Sequence, residues 1–233
     1  MISVDNVGVE FSGHSLFSDV SFSINENDKI ALMGTNGSGK SSLLKVLLGE
    51  LEPIKGQLRR LDGLDIGHFS QKRESLPNDI TPWQLVGEGI DFVMSNTGEK
   101  RHVASYLDGF LFKSEEIKRP IHTFSGGEKN RLQLAQFMKH ARDLWIFDEP
   151  TNDLDVETLR ALEEALLDFA GCAIVISHDR WFLDRIATHM LAFEGEGHVE
   201  WFEGNFEEYE ADKKKRLGKD ASQPHRMKYK KLV

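Results

Sequence analysis

A glycine-rich run between an apolar segment and a helical segment is the feature that most constrains the fold of this chain. The run Gly34-Thr-Asn-Gly-Ser-Gly-Lys-Ser41 has the pattern G-x-x-x-x-G-K-[ST], with apolar residues over 29–33 and a helix-like stretch over 42–49. In a strand, tight turn and helix, backbone N–H groups and the positive end of the helix dipole meet at one point, which suits a polyphosphate. A chance match in a glycine-rich turn is the alternative, and the flanking segments disfavour it.

The residue types of this loop divide the work of holding a nucleotide. Lys40 carries the cation that can reach the β- and γ-phosphates, and the Ser41 hydroxyl can ligate Mg²⁺. The sequence therefore predicts ATP and Mg²⁺ as ligands. The other residues of this segment that we expect to contact the nucleotide are Gly34, Asn36, Gly37, Ser38, Gly39 and Ser42.

Two adjacent carboxylates, Asp148 and Glu149, end a second apolar segment that begins at residue 143. Ligands of parallel sheets lie at the carboxyl ends of the strands, so Asp148 is placed to hold Mg²⁺ and Glu149 to orient and polarise an attacking water. Such a pair is often only a solvated turn. Downstream of a phosphate-binding loop, the catalytic interpretation is favoured.

A third element, Ser125-Gly-Gly-Glu128, opens a predicted helix. Ser125 with Glu128 three residues later predicts a capping box, and the same helix N-terminus can attract an anion. With the two elements above, the chain resembles the ATP-binding cassette (ABC) ATPases. In that family this element is the signature motif, which contacts the γ-phosphate bound to the opposite subunit. The motif usually begins with Leu, whereas this chain has Phe124.

The resemblance implies roles for further residues. Gln71 corresponds to the glutamine that senses Mg²⁺ and the attacking water, and His178 to the switch histidine near the γ-phosphate. Asp155 ends the loop over residues 152–155, which crosses the dimer interface in this family. Phe11 corresponds to the aromatic residue that stacks on adenine; Phe17 is the competing choice, and core packing competes for both. The signature residues expected at the opposite subunit's nucleotide are Ser125, Gly126, Gly127 and Glu128.

The resemblance also implies the architecture. We expect an α/β ABC ATPase domain, with a RecA-like parallel sheet around the phosphate loop, an antiparallel β subdomain and a helical signature subdomain. Short strand patterns over 1–31 and 54–70 indicate the antiparallel face, and residues 143–193 alternate between strand and helix. We predict one cassette over residues 1–212, its helical subdomain over roughly 80–142, and a basic tail over 213–233.

Charge is strongly segregated at the end of the chain. Nine Lys or Arg residues and one Asp lie between Lys213 and Lys231, on a protein whose net charge is −9. A basic tail on an acidic body is a candidate contact for RNA, and a solvated helix end is the competing interpretation.

The chain has no apolar run that approaches the length needed to span a bilayer, which is about 20 residues, so we expect no membrane insertion. The single cysteine, Cys172, lies in a predicted core strand, which suits the reducing cytoplasm.

The subfamily can be narrowed further. The sequences over 148–155 and 177–184 are similar to the ABC-F subfamily, which lacks membrane domains. The stretches over 202–209, 214–218 and 226–231 are similar to the C-terminal cassette of its energy-dependent translational throttle family. This similarity implies ATP-dependent binding at the ribosomal E site beside tRNA. Members normally carry two cassettes and a charged linker, whereas this sequence has one cassette. A fragment, a half-size relative and one product of a split protein all fit.

Three functions remain open from the sequence. The first is an ABC-F ATPase that hydrolyses ATP as a dimer or with a second cassette and acts on ribosomes. The second is the nucleotide-binding subunit of a membrane ABC transporter, since one fold supports both roles. The third is an isolated module that binds ATP and needs a partner cassette for turnover.

Overall fold

The computed structural model describes residues 1–11, 14–70, 75–94, 99–152 and 154–218. The strands are β1 (Ile2–Phe11), β2 (His14–Ile24), β3 (Lys29–Met33), β4 (Lys55–Arg60), β5 (Ile66–Phe69), β6 (Phe92–Met94), β7 (Lys100–His102), β8 (Leu144–Asp148), β9 (Cys172–Ile176), β10 (His189–Gly195) and β11 (His198–Glu203). The helices are α1 (Lys40–Leu48), α2 (Pro82–Gly87), α3 (Val103–Asp108), α4 (Gly126–Met138), α5 (Val156–Asp168), α6 (Arg180–Ile186) and α7 (Phe206–Leu217), with 3₁₀ turns at Glu116–Lys118 and Ile121–Thr123.

A six-stranded sheet forms the centre of the molecule, in the order β11-β10-β3-β9-β8-β5. All its neighbours pair in parallel except β10 and β11, which form an antiparallel hairpin. The alternation of strand and helix predicted over 143–193 is confirmed by β8, α5, β9, α6 and β10. The order β3-β9-β8 brings the carboxyl ends of three apolar strands side by side, as the predicted site requires.

A second, three-stranded antiparallel sheet has the order β2-β1-β4. The antiparallel face expected for residues 54–70 is therefore only partly right. β4 joins this sheet, but β5 pairs in parallel with β8, with Gly67 opposite Trp145. Phe69 of β5 packs against Phe137 and Phe147, so apolar packing against the central sheet determines where this short strand lies.

The two faces of the central sheet bury different cores. Trp145 and Phe147 of β8 pack with residues of α2, α3 and α4, whereas Leu144 and Ile146 pack with β1, β2 and α1. This period of two is expected when a strand is covered on both faces. Between α2 and α3 the chain also forms the antiparallel hairpin β6-β7, which the helical pattern did not predict.

The buried thiol of Cys172 confirms the expectation of a core strand. It lies in β9, and burial raises its pKa to about 12. Because the thiolate is the reactive form, this cysteine acts as a small apolar side chain.

Helix α7 crosses the boundary that the sequence suggested at residue 213. Asn205 caps its first turn, Tyr209 Oη donates a hydrogen bond to Glu194 Oε1 at 2.7 Å, and Arg216 Nη2 donates to the same oxygen at 3.1 Å. The first basic residues after position 212 therefore belong to a helix that is docked on the β10-β11 hairpin. The rest of the tail predicted over 213–233, from residue 219 onwards, lies outside the described residues.

The buried side chain of Lys29 binds backbone carbonyls at the end of the central sheet where β3 begins. Lys29 Nζ donates hydrogen bonds to the carbonyl oxygens of Asn27, Phe169 and Gly171 at 3.2, 2.9 and 2.8 Å, and lies 5.5 Å from the centre of the Phe169 ring. Burial lowers the pKa of this amine, yet the three carbonyls satisfy its three donors.

We expect Lys29→Met to lower the free energy of unfolding by about 1 to 3 kcal/mol, because buried carbonyls lose their partner. The midpoint of urea denaturation measures this loss. Lys55→Met is the matched control: Lys55 pairs with Asp19 at 2.6 Å, but both side chains are exposed. The control should leave the midpoint unchanged. Equal losses in the two variants would contradict the role given to Lys29.

Candidate nucleotide site

The glycine-rich loop connects β3 to α1 in a conformation that needs its glycines. Gly34 has φ 154° and Gly39 has φ 107°. A Cβ at Gly34 would lie 2.7 Å from Phe193 Cβ, and one at Gly39 would lie 2.9 Å from Phe17 Cδ1. These positions therefore exclude larger residues, and the tight turn presents the first turn of α1 to the carboxyl edge of the sheet.

Lys40 extends from the first turn of α1 into the loop. Its Nζ donates to the carbonyl oxygens of Gly34 at 2.6 Å and Thr35 at 3.0 Å. Burial lowers the pKa of Lys40, and the negative charges of Glu149 and Asp148 oppose that shift. The loop thus holds a mostly buried cation beside two acidic groups.

Asp148 and Glu149 stand at the end of β8. Burial raises the pKa of both carboxyls, and the nearby Lys40 charge opposes the increase in each case. Glu149 has φ 53°, and its N–H donates to Ile176 O at 2.9 Å, which extends the β8-β9 ladder by one residue. Its Oε1 lies 3.3 Å from His178 Nε2, while its Oε2 is buried and has no hydrogen-bond partner among the described residues.

These groups share one open cavity of about 670 Å³. Residues from the strand ends and the glycine loop line it, together with an aromatic side chain of β1. The predicted residues in its lining are Phe11, Asn36, Gly37, Gly39, Lys40, Ser41, Ser42, Asp148, Glu149 and His178. Gly34 and Ser38 belong to the same loop without lining the cavity, and Gln71 lies outside the described residues.

The burial of Phe11 and Phe17 decides which of the two could stack on adenine. Phe17 is fully buried and packs edge-on against Phe193 at 5.7 Å, so it is a core residue. Phe11 is 71% exposed and lines the cavity, so it has a free face to offer a planar ligand. Adenine stacking on Phe11 stays a prediction.

Three further lining residues were not among the predicted site residues. They are Leu16, Asn152 and Ile176. Leu16 precedes the buried Phe17 in β2, so the alternation of a strand places it on the other face, and Ile176 is the last residue of the strand that leads to His178. This alternation is the sequence signal that could have found Leu16.

The signature residues lie apart from this cavity. Ser125 caps α4: its Oγ accepts from Glu128 N at 3.3 Å, and Ser125 N donates to Glu128 Oε2 at 2.7 Å. Hydrogen bonds from Ser125 are the main reason why the pKa of Glu128 is lowered. Asp155 caps α5 by accepting from Thr158 N at 2.7 Å. The capping box is thus confirmed, whereas none of Ser125, Gly126, Gly127, Glu128 and Asp155 lines the cavity of their own chain.

Comparison with known proteins agrees with this geometry. A family profile described as ABC transporter matches residues 17–152, which include the glycine loop, the capped α4 and both carboxylates. The chain belongs to this ABC transporter family. Membership makes it an ATP-binding cassette.

Named relatives place this cassette near ABC-F proteins. It is 44% identical over 233 residues to the energy-dependent translational throttle protein EttA of Escherichia coli (strain K12), and 43% identical over 237 residues to EttA of Mycobacterium tuberculosis (strain ATCC 25618 / H37Rv). It is also 44% identical over 206 residues, 88% of the chain, to the ATP-binding protein Uup of Haemophilus influenzae (strain ATCC 51907 / DSM 11121 / KW20 / Rd). The chain spans 42% of the length of these EttA proteins and 32% of Uup.

Solved structures share the fold of the cassette. One is a putative metal-chelate type ABC transporter in an inward-facing conformation, with TM-score 0.65 and 25% identity over 87% of this chain and 82% of that one. Another is the ATP-binding subunit of an ABC transporter, with TM-score 0.71 and 20% identity over 94% and 93% of the two chains. Within the described part of this cassette, none of the helices combines the length and apolar character that crossing a membrane requires.

The raised pKa of Glu149 predicts an effect of pH on the stability of the cassette. When the pKa of a carboxyl is higher in the folded than in the unfolded state, the folded state disfavours the ionised form. At a pH above both pKa values the carboxyl is ionised and therefore lowers the free energy of unfolding. At pH 7.5, Glu149→Gln should therefore raise the melting temperature, by about 2 to 4 °C for each 1 kcal/mol relieved. The gain should shrink as the pH falls below the folded-state pKa. Calorimetry from pH 4 to 8 measures it, and a gain that grows towards low pH would contradict the assignment.

Proposed function

We propose that this chain is the ATP-hydrolysing cassette of an ABC-F protein and acts in translation through ATP-dependent binding to the ribosome. One observation carries the ATPase part: a cavity in which the Lys40 ammonium, the Asp148 and Glu149 carboxylates and the His178 ring converge. The translation part rests on the similarity to EttA over the whole chain.

Nucleotide binding is assigned to the loop and to Phe11. The exposed face of Phe11 supports stacking on adenine, and the backbone N–H groups at the start of α1 would meet the phosphates. Lys40 would exchange its bonds with the Gly34 and Thr35 carbonyls for phosphate oxygens. The other expected contacts of this segment are Gly34, Asn36, Gly37, Ser38, Gly39, Ser41 and Ser42.

The residues present fit Mg²⁺. The Ser41 hydroxyl and the partly buried Asp148 carboxylate line the same cavity, and oxygen donors of this kind are what Mg²⁺ prefers. When bound, the ion would offset charge on the phosphate oxygens. Gln71 is the third proposed ligand.

Water activation is assigned to Glu149, with His178 beside it. Glu149 Oε2 is buried and unpartnered among the described residues, so it can accept a proton or a hydrogen bond from an attacking water. The pKa that burial raises makes this carboxylate a stronger base than an exposed glutamate. His178 Nε2, at 3.3 Å from Oε1, would orient the carboxylate.

A second cassette would complete the site. The capped N-terminus of α4 can attract an anion, yet Ser125 does not line the cavity of its own chain. We therefore assign Ser125, Gly126, Gly127, Glu128 and Asp155 to contacts with a neighbouring cassette, either a second copy or a different one. The cassette would then be an enzyme only as a pair, and the isolated chain could bind ATP while turning over slowly.

Ribosome binding is assigned to the basic stretch that begins in α7. Lys214 and Lys215 are exposed on that helix, and further basic residues follow up to Lys231. An acidic body repels RNA, so attraction would be confined to this stretch. The role in translation supports a cytoplasmic location. The solved transporter structures share only 20–25% sequence identity with this chain, whereas EttA shares 44%. The translation role is therefore favoured over the transporter role.

Two substitutions test the site, and they should separate binding from chemistry. Lys40→Ala should weaken Mg-ATP binding at least about tenfold, which corresponds to about 1.4 kcal/mol. Glu149→Gln should keep binding but lower hydrolysis about 10²-fold or more, because the base is lost.

The turnover number of the wild type should also fall as the pH drops below the raised pKa of Glu149, because the protonated carboxyl cannot act as a base. Calorimetry and phosphate release measure these effects, and wild-type turnover in Glu149→Gln would place the base elsewhere.

Concentration dependence of turnover tests the need for a second cassette. If two copies form the site, the specific activity of the wild type should rise with protein concentration. Scattering of Glu149→Gln with ATP should then show a dimer, and without nucleotide a monomer. A monomer with ATP together with constant specific activity would contradict a homodimer and favour a different cassette as the partner.

Pelleting with ribosomes tests the proposed partner. The ATP-bound Glu149→Gln protein should pellet with ribosomes better than the ADP-bound wild type, and rising salt should weaken the interaction. Deleting residues 219–233 should lower pelleting and leave ATP affinity intact, because the docked helix α7 stays whole. Replacing Arg226, Lys228, Lys230 and Lys231 with Gln should reproduce the loss if charge is the cause. Equal pelleting of intact and truncated protein would refute the role of the tail.

A further inference from the structure

We propose that a four-layer stack of two guanidinium groups and two phenylalanine rings, Arg119, Phe124, Phe112 and Arg131, positions the signature helix α4 against the start of α5. We call it the Arg-Phe-Phe-Arg stack. The proposal rests on the proposed function, in which both helix starts face a second cassette. It adds positioning residues that neither the sequence patterns nor the glycine-loop cavity reveal.

The layers of the stack are in continuous contact. The guanidinium carbon of Arg119 lies 5.0 Å from the centre of the Phe124 ring. The Phe124 and Phe112 rings are 5.9 Å apart and 15° from parallel, and the guanidinium carbon of Arg131 lies 4.8 Å from the centre of Phe112. Cations over ring faces and offset parallel rings are both favourable. Both rings and the Arg131 side chain are largely buried, whereas the Arg119 side chain at the other end is 45% exposed.

Each end of the stack is tied to a helix cap. Arg119 Nη2 lies 3.1 Å from Glu128 Oε1, and the other oxygen of Glu128 accepts from Ser125 N in the capping box of α4. At the far end, Arg131 Nη1 lies 3.5 Å from Asp155 Oδ2, while Asp155 Oδ1 accepts from Thr158 N. Arg131 lies in α4, one turn after Glu128, so its ion pair with Asp155 ties α4 directly to the cap of α5. The stacked rings add a second path from this ion pair to the cap of α4.

The stack gives a physical reason for Phe124. Position 124 is where related cassettes usually carry leucine, whose branched side chain has no flat face. Phenylalanine there can lie parallel to Phe112 and beneath Arg119, so the aromatic residue extends the column by one layer. A leucine would fill the space but offer no flat face to hold the guanidinium of Arg119.

The consequence is mechanical coupling between two helix starts. Because Arg131 is mostly buried and its Nε has no hydrogen-bond partner among the described residues, the Phe112 face and Asp155 are the contacts that hold its guanidinium. Displacing Asp155 should therefore shift Arg131. The shift would reach the cap formed by Ser125 and Glu128 both along the first turns of α4 and through the rings. The two loops would meet a second cassette as one unit.

Hydrogen exchange of the protein without nucleotide tests the coupling directly. Asp155→Asn keeps an oxygen that can cap α5 but removes the charge that pairs with Arg131. We expect it to raise the exchange rate of the Glu128 amide, at the other end of the stack, at least threefold. Arg131→Lys should do the same, because an ammonium keeps the charge but loses the flat face.

The matched control is Phe110→Leu. Phe110 is a buried phenylalanine two residues from Phe112 and packs against Tyr106 at 5.3 Å, outside the stack. Phe110→Leu and Phe112→Leu should lower the melting temperature by similar amounts, but only Phe112→Leu should raise the exchange rate of the Glu128 amide. If the control raised that rate as much as Phe112→Leu does, general destabilisation would explain the effect and the proposal would be overturned.

A double variant decides whether the two ends communicate through the rings. In Phe124→Leu the column is already interrupted and only the path along α4 remains. Adding Asp155→Asn to this variant should therefore raise exchange at Glu128 less than Asp155→Asn alone does in the wild-type background. The same increase in both backgrounds, or none in either, would overturn the stack.

Turnover supplies the functional readout. Phe124→Leu and Arg131→Lys should lower kcat about three- to tenfold with KM for ATP unchanged, and Phe110→Leu should change neither. Unchanged kcat in both stack variants would overturn the positioning role. If the wild type shows no turnover even with a second cassette supplied, the proposed function fails, while the exchange experiment still decides the stack.

Discussion

One backbone hydrogen bond fixes the geometry on which the site depends. The N–H of Glu149 donates to Ile176 O, one residue beyond the end of β8, and holds Glu149 at φ 53°. A left-handed conformation of a non-glycine residue costs about 1 to 3 kcal/mol and persists where the surroundings determine it. Here the β8-β9 ladder does so, and it turns the carboxylate towards His178. Because β9 lies between β8 and β3, the same edge also presents the glycine loop and Lys40.

Burial and charge oppose each other across this edge. Burial disfavours the ionised form of each group, so the pKa of Lys40 is lowered and those of Asp148 and Glu149 are raised. The opposite charges limit these shifts, which keeps a cation and two acids together in one cavity. A bound triphosphate would add negative charge beside Lys40 and favour its ionised form, whereas the same charge would raise the pKa of Glu149 further. The base is therefore sensitive to what the cavity holds.

Local sequence patterns predicted the parts of the fold that depend on local physics. The glycine loop, the apolar β8 and the capping box at Ser125 each follow from residues close in sequence, and the structure has all three. β5 has only four residues, so its pattern cannot show which sheet it joins; packing of Phe69 against residues distant in sequence decides that. The members of the Arg-Phe-Phe-Arg stack lie within residues 112–131, but their spacing matches neither a helix nor a strand period. Two 3₁₀ turns and the start of α4 bring them together, so the sequence pattern does not reveal the stack.

The charge pattern at the end of the chain shows how tertiary contacts redistribute what composition suggests. Burial would raise the pKa of Glu194, but hydrogen bonds from Arg216 and Tyr209 outweigh it and the pKa is lowered. A carboxyl with a lowered folded-state pKa stabilises the fold above its unfolded-state pKa, and this stabilisation is lost only as the pH falls through the lowered value. At neutral pH the ionised Glu194 therefore keeps α7 docked. Arg216 is committed to that task, so an RNA contact must draw on Lys214, Lys215 and the residues that follow α7.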